Sequence, residues 1–457
     1  MVVAACACMA TAAYGATVYQ VTENGIVNGI DLTTGDYDPL SLAGPSSGDL
    51  YMTGTVVHAA ASVATPFNLV GMGGGLNMFS SGLLTSPLKF TGTAGYFDFQ
   101  NENITLGDDW RDKLQLPSSS SFYVSFKTFD IAGGTDANWL VFDPPCPLRF
   151  DGTSSIGYKG GNSRVKVYNR RTQGCYWGGG RGHSRTNGKI YAGGVDTAGG
   201  VPGYVHFELT GGTLECCCIE FSRNVTSANS TQASLGLTNM ITLTSGDFKY
   251  GHGFYRHGPD WVHFKFAGSG RFWQNGYYGE ICKKSNDNSN EGGYVFESVN
   301  GATISVSPHA SSCGTDSRIE TRGTGNFYIA GNGGNADANE NILGNKIVWN
   351  HKGKVLLGGD NSGSLRISGA NALPYGEGKG DVQVNCKYLC LDNSQTVNSI
   401  YGNGQTYARN TGVTVTVGAH GGDCRYKMPI KIAIGATISY NNNGSMSTRT
   451  NYGWDVA

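Results

Sequence analysis

Histidine and carboxylate crowd one stretch of the chain. His252, His257, Asp260 and His263 follow the spacing H-x4-H-x2-D-x2-H. These are suitable donor types for a divalent metal, but structural zinc sites do not use that interval. His263 also alternates with Val262, Phe264 and Phe266, as a polar residue does on the outer side of a half-buried strand. The four are weak metal candidates, and the expectation is no metal and no cofactor.

Carboxylates are the next group with chemistry. Asp108, Asp109, Asp112, Glu215 and Glu220 could serve acid–base work on glycosidic bonds, which needs two carboxylates at a set separation. Glu215 and Glu220 are five apart, so an unbroken strand puts them on opposite sides. Solvated turn positions suit single acidic residues better, so no catalytic residue is assigned. Cys216, Cys217 and Cys218 lack a second CxxC and read as compact interior hydrophobes. The loop from Trp177 to Ser184 is glycine-rich but lacks the lysine and helix of a phosphate loop. Tyr255, Trp261, Trp273 and Tyr277 lie in an aromatic-rich stretch with Tyr250, Phe254, Phe272 and Tyr278. Exposed rings stack on sugars, which makes those four the carbohydrate-binding candidates; burial in an elongated core is the competing reading.

Composition limits the partners. Of 457 residues 70 are glycine, 15% are charged, and the formal net charge is −1. Glycine without a Gly-X-Y period excludes collagen. Nucleic-acid binding requires clustered Lys and Arg; Arg170, Arg171, Arg181 and Arg185 are only scattered through a loop, so no nucleic acid is expected. Residues 2–13 are uncharged and too short to span a bilayer. With the small residues at Ala13–Ala16 they read as a signal peptide over 1–16 without its basic start. No transmembrane segment is expected in the mature chain. Twelve cysteines show no framework spacing, and pairing cannot be read from them.

The elements that would carry these residues are strands. Helical periodicity is nearly absent, with one short candidate at 107–114 before Pro117. Runs such as Phe122–Phe126, Arg164–Tyr168, Val205–Leu209 and Trp261–Phe266 alternate between turns of Gly, Asn and Ser, and Gly211-Gly212 reads as one such turn. After about residue 300 the runs shorten: Leu365 with Ile367, Val382 with Val384, Leu389 with Leu391, then Val413, Val415 and Val417. Very short strands at short intervals suit a solenoid whose coils stack.

The segment Gly363–Asn371 reads G-S-L-R-I-S-G-A-N, and resembles the autotransporter-associated β-strand repeat. Leu373–Val384 is similar to that repeat's glycine-rich turn and next strand, and Tyr388–Val397 to its continuation. The match spans about residues 340–440. It implies a bacterial, right-handed parallel β-helix (solenoid), secreted or displayed at the cell surface. The family usually ends in a membrane barrel, and the stretch up to Ala457 shows no series of ten-residue alternating strands. The expected organisation is a signal at 1–16, a β-rich region with long irregular loops at 17–300 (irregular β-helix or separate domain), and a regular β-helix at 301–457. The expected role is an extracellular structural or adhesive stalk that self-associates into filaments, with further copies of itself and surface glycans as partners. The alternatives are a carbohydrate-active β-helix enzyme, either polysaccharide lyase or hydrolase, and a carbohydrate-binding module.

Overall fold

The computed structural model describes side chains at most positions of 106–158, 164–168, 189–195, 201–230, 238–274, 281–282, 292–331, 341–359 and 363–417, and strand backbone alone elsewhere from Thr17 onward. The expected signal at 1–16 lies outside the described residues. Strand dominates, and the helix found is a single turn, Trp110–Lys113, within the stretch read as helical. Among the described residues no helix is long and apolar enough to cross a membrane.

The chain forms two compact units. The first comprises Met1–Ile104, Asp109–Lys127 and Pro145–Leu148. Its strands Thr17–Val21, Gly48–Met52 and Phe67–Met78 run parallel, with Thr17 opposite Gly48 and Asp49 opposite Asn68. The second unit holds Thr105–Asp108, Thr128–Pro144 and Arg149–Ala457.

The second unit is a parallel β-helix whose coils pass through three faces. On the first face one inward column runs Phe142, Val167, Phe207, Ile241, Phe264, Phe296, Thr321, Trp349, each residue opposite the next. On the second the column is Leu214, Phe248, Phe272, Val306, Ile329, Leu357, Val384. On the third it begins Ile190, Ile219, Phe254 and, higher up, reads Ile281, Cys313, Leu343, Ile367, Leu391, Ala408. Nearly all of these side chains are fully buried, each worth about 1.5–3 kcal/mol for the larger apolar ones. Alternation does the sorting: residues two apart point inward, and those between point out. Leu365 and Ile367 of the repeat-like motif stack on Leu389 and Leu391 one coil on, so the spacing seen in sequence is a packing requirement.

The ladders cross residue 300 without a break, since Phe272 pairs Val306 and Phe296 pairs Thr321. The irregular coils before it and the regular coils after it belong to one stack. They differ in filling. Rings from all three faces interlock below 300: Phe264 and Phe272 lie 4.6 Å apart, Phe254 and Phe264 5.4 Å. Above it, branched aliphatics predominate.

Corners need special backbone. Tyr204–Arg223 and Asn239–Arg256 pass through all three faces as continuous strands, with register shifts near Thr210 and between Cys216 and Cys218. Gly211-Gly212, read as a turn from sequence, is a bend inside the first of these strands. Gly212 takes φ 64° there, a left-handed conformation that is easy only without a Cβ.

Candidate functional site

The inner columns are packed full, so any site must lie on the outward residues or at the corners. The aromatic-rich stretch splits along these lines. Tyr250, Phe254 and Phe272 are fully buried and belong to the core. Tyr255, Trp261 and Trp273 alternate with buried neighbours and face outward, on the third, first and second faces respectively. Alternation is why: odd and even positions of bent strands part company at every corner. The three rings therefore share no common platform, and Tyr277 lies outside the described residues.

Each of the three is also held against its own neighbours. The Trp273 indole donates to Asp247 Oδ1 at 3.1 Å, while Lys249 and Arg271 stand over its ring at 4.8 and 4.2 Å. Asp247 in turn accepts from Arg271 Nε and Nη2 at 2.9 and 3.2 Å. Trp261 lies opposite Gly293, a position where a Cβ would crowd its ring, and the Arg318 guanidinium is 5.4 Å from its centroid. Tyr255 folds over Gly253, where a Cβ would overlap the ring.

The His–Asp cluster also disperses. His257 Nε2 meets Glu220 Oε2 at 3.1 Å, and His263 Nε2 meets Glu297 Oε2 at 2.7 Å on the outer side of the first face. Asp260 is buried and accepts from Ser222 Oγ at 3.0 Å and Ser230 Oγ at 2.6 Å. Burial raises the Asp260 pKa despite those donors and the Arg256 charge. Burial also lowers the His263 pKa against the pull of Glu297. The His252 side chain lies outside the described residues. Among the described residues no group of three or more His, Cys, Asp or Glu is arranged to hold a metal.

Glu215 and Glu220 need a correction. Both face outward, Glu215 opposite Lys249 on the second face and Glu220 opposite Tyr255 on the third. The strand bends and shifts register between them, so simple parity fails. Glu220 is the better developed position. Its carboxylate also pairs with Lys189, a residue the sequence did not single out, and Lys189 sits 4.8 Å from the Tyr191 ring centroid. Burial pushes the Glu220 pKa up, but hydrogen bonds and charges from His257 and Lys189 outweigh it and bring it to about 2. It is a fixed anion at neutral pH, not a proton shuttle. Asp108 accepts from the Gly134 amide at 2.9 Å and so braces a loop.

Other outward carboxylates follow the same rule. Asp392 meets Arg366 at 2.6 Å and Arg409 at 3.8 Å; Glu320 meets Arg322 at 3.0 Å; Glu208 meets Lys166 at 3.5 Å. Glu320 and Arg322 are two apart on one strand; for Asp392 and Glu208 no sequence signal marks the partner, because coil length varies and the partner lies one coil away. Cys216, Cys217 and Cys218 are all buried thiols outside any disulfide, as are Cys146, Cys282, Cys313, Cys386 and Cys390. Burial raises the Cys216 and Cys217 pKa values, which leaves both poor nucleophiles.

Fold and surface together define a parallel β-helix protein in which Glu208, Glu220, Asp247, Glu297, Glu320 and Asp392 are each tied into an ion pair. No family model, curated protein or solved structure matches the chain. Identification therefore stops at that class, and the resemblance to the autotransporter-associated repeat rests on its motifs alone.

Proposed function

We propose that the chain is an extracellular structural or adhesive stalk of the passenger type, carried at the cell surface and able to self-associate. The observation that carries this reading is the outward ion-pair ladder. Glu208, Glu220, Asp247, Glu297, Glu320 and Asp392 each meet a cationic or histidine partner, mostly from a neighbouring coil. Groups so engaged brace coil against coil, and Glu220, whose pKa is brought to about 2, is badly placed for acid–base turnover. Stacked coils gain length cheaply, because each strand pairs the backbone of the next. The eight-stranded sheet of the third face alone, at about 4.8 Å per strand, extends roughly 34 Å. A net charge of −1 offers little long-range repulsion to lateral association.

Negative-stain imaging of the purified full chain tests the proposal. Rods, bundles or filaments are expected. A uniform field of compact globules would remove the stalk reading.

A further inference from the structure

The second face carries a feature that the ion-pair ladders do not explain. Tyr328, Leu356, Gln383 and Tyr401 form one outward column, each opposite the next in successive coils. Beside Tyr328, Leu356 and Gln383, at the following corner, stand Gly358, Gly359, Asn385 and Asn403. Together they line an open trough of about 410 Å³.

We infer that this trough is a subsite for an uncharged glycan. Its chemistry differs from the rest of the described surface. Among the described residues that line it there is no Asp, Glu, Lys, Arg or His, and the nearby Lys354 is drawn over the Tyr401 ring at 5.5 Å. Three carboxamides supply donors and acceptors together, which suits neighbouring sugar hydroxyls. Gln383 Nε2 donates to Asn385 Oδ1 at 3.3 Å, which orients the pair and leaves further capacity on both amides. Tyr328 and Leu356 add the apolar surface that the ring face of a hexose needs. Coils repeat at roughly 4.8 Å, comparable to the length of one pyranose ring, so successive coils can address successive sugars.

Other occupants fit less well. An acidic glycan or a nucleic-acid strand would find no cation among the described residues that line the trough. An extended peptide would need free backbone, yet the amides of Gly358, Asn385 and Asn403 already donate to Ile329, Leu357 and Val384. Trp273, Trp261 and Tyr255 are packed against their own neighbours on other parts of the surface, whereas Tyr328 lines the trough.

The experiment is a binding screen of the full chain on immobilised cello-, manno- and galacto-hexasaccharides, with polygalacturonate and heparin alongside, followed by calorimetry on each hit. At least one uncharged series should bind. Gln383→Glu, nearly isosteric, and Tyr328→Ala should each weaken binding by about tenfold or more, with the melting temperature of Gln383→Glu unchanged. Trp273→Ala should leave affinity as it was. A blank uncharged set, retention on the acidic polymers alone, or undiminished affinity in Gln383→Glu would overturn the assignment. Imaging of the stalk and this screen fail separately, since a globule could still bind sugar and a rod could bind none.

Discussion

Acid should loosen this coil through His351. His351 is 1% exposed, with Nδ1 2.8 Å from Thr321 Oγ1 and its ring 5.6 Å from Trp349 and 6.1 Å from Phe327. Burial brings its pKa down from 6.5 to about 4, Lys379 adds to the shift, and a backbone contact at Lys354 opposes it. The folded chain thus stays neutral at His351 where the unfolded chain takes up a proton. Stability is full above pH 6.5, falls as pH drops, and levels off below about 4. At 1.36 kcal/mol per pKa unit, the loss is roughly 3 kcal/mol. His351→Asn keeps a polar atom near the Nδ1 position and removes the titration. Urea midpoints at pH 7 and pH 4 are the assay. The variant should start less stable at pH 7, having lost ring packing, but should lose about 3 kcal/mol less between the two pH values. Equal losses in both proteins would refute the reasoning.

Other perturbations separate the remaining forces. Glu220 is held ionised down to about 2 against 4.5 unfolded, so its contribution is present above pH 4.5 and fades as pH falls towards 2; Glu220→Gln should flatten the stability profile in that lower window and cost roughly 1–3 kcal/mol at pH 7, read by the same denaturation series. At Gly353 a Cβ would overlap the Gly325 carbonyl of the coil before, just as one at Gly380 would overlap Gly353; Gly353→Ala should destabilise by about 1–3 kcal/mol, seen as a lower melting temperature. Iodoacetamide should leave Cys313, Cys386 and Cys390 unlabelled in the native protein and label all three in guanidinium, because each is at 0% exposure; native labelling of these peptides by mass spectrometry would contradict the packing.

Parity made the coil interior legible. Val382 and Val384, Phe264 and Phe266 alternate with polar residues, and all four point inward. Thr and Asn also sit inside, at Thr321 and Asn341, where alternation alone assigns position but not the hydrogen bonds that make it tolerable. Corners were harder. The bend at Gly212 and the shift after Cys216 turned one strand into three faces, so Glu215 and Glu220 could not be placed by counting. Partners were hardest of all. Lys189 reaches Glu220, and Arg366 reaches Asp392, across coils of unequal length, and no fixed period leads from one to the other. The trough escaped for the same reason: Tyr328, Leu356, Gln383 and Asn403 become neighbours only once the coil lengths are known.

Unequal coils pose a problem that the buried polar groups answer. A stack of apolar columns would tolerate a slip of two residues, since inward positions stay inward. Asn239 forbids it at the corner before the first face. Its Oδ1 accepts from the Val205 amide at 2.9 Å and its Nδ2 donates to Ser222 Oγ at 2.9 Å, and the Ser222 hydroxyl in turn donates to Asp260 Oδ2. Arg256, 2% exposed, is anchored to the Gly258 carbonyl two residues on. A shift would strand these groups away from water, at about 1–3 kcal/mol for each unsatisfied donor or acceptor and more for a charged one. Apolar burial thus drives coiling, while the network from Asn239 to Asp260 determines which residue of one coil meets which of the next.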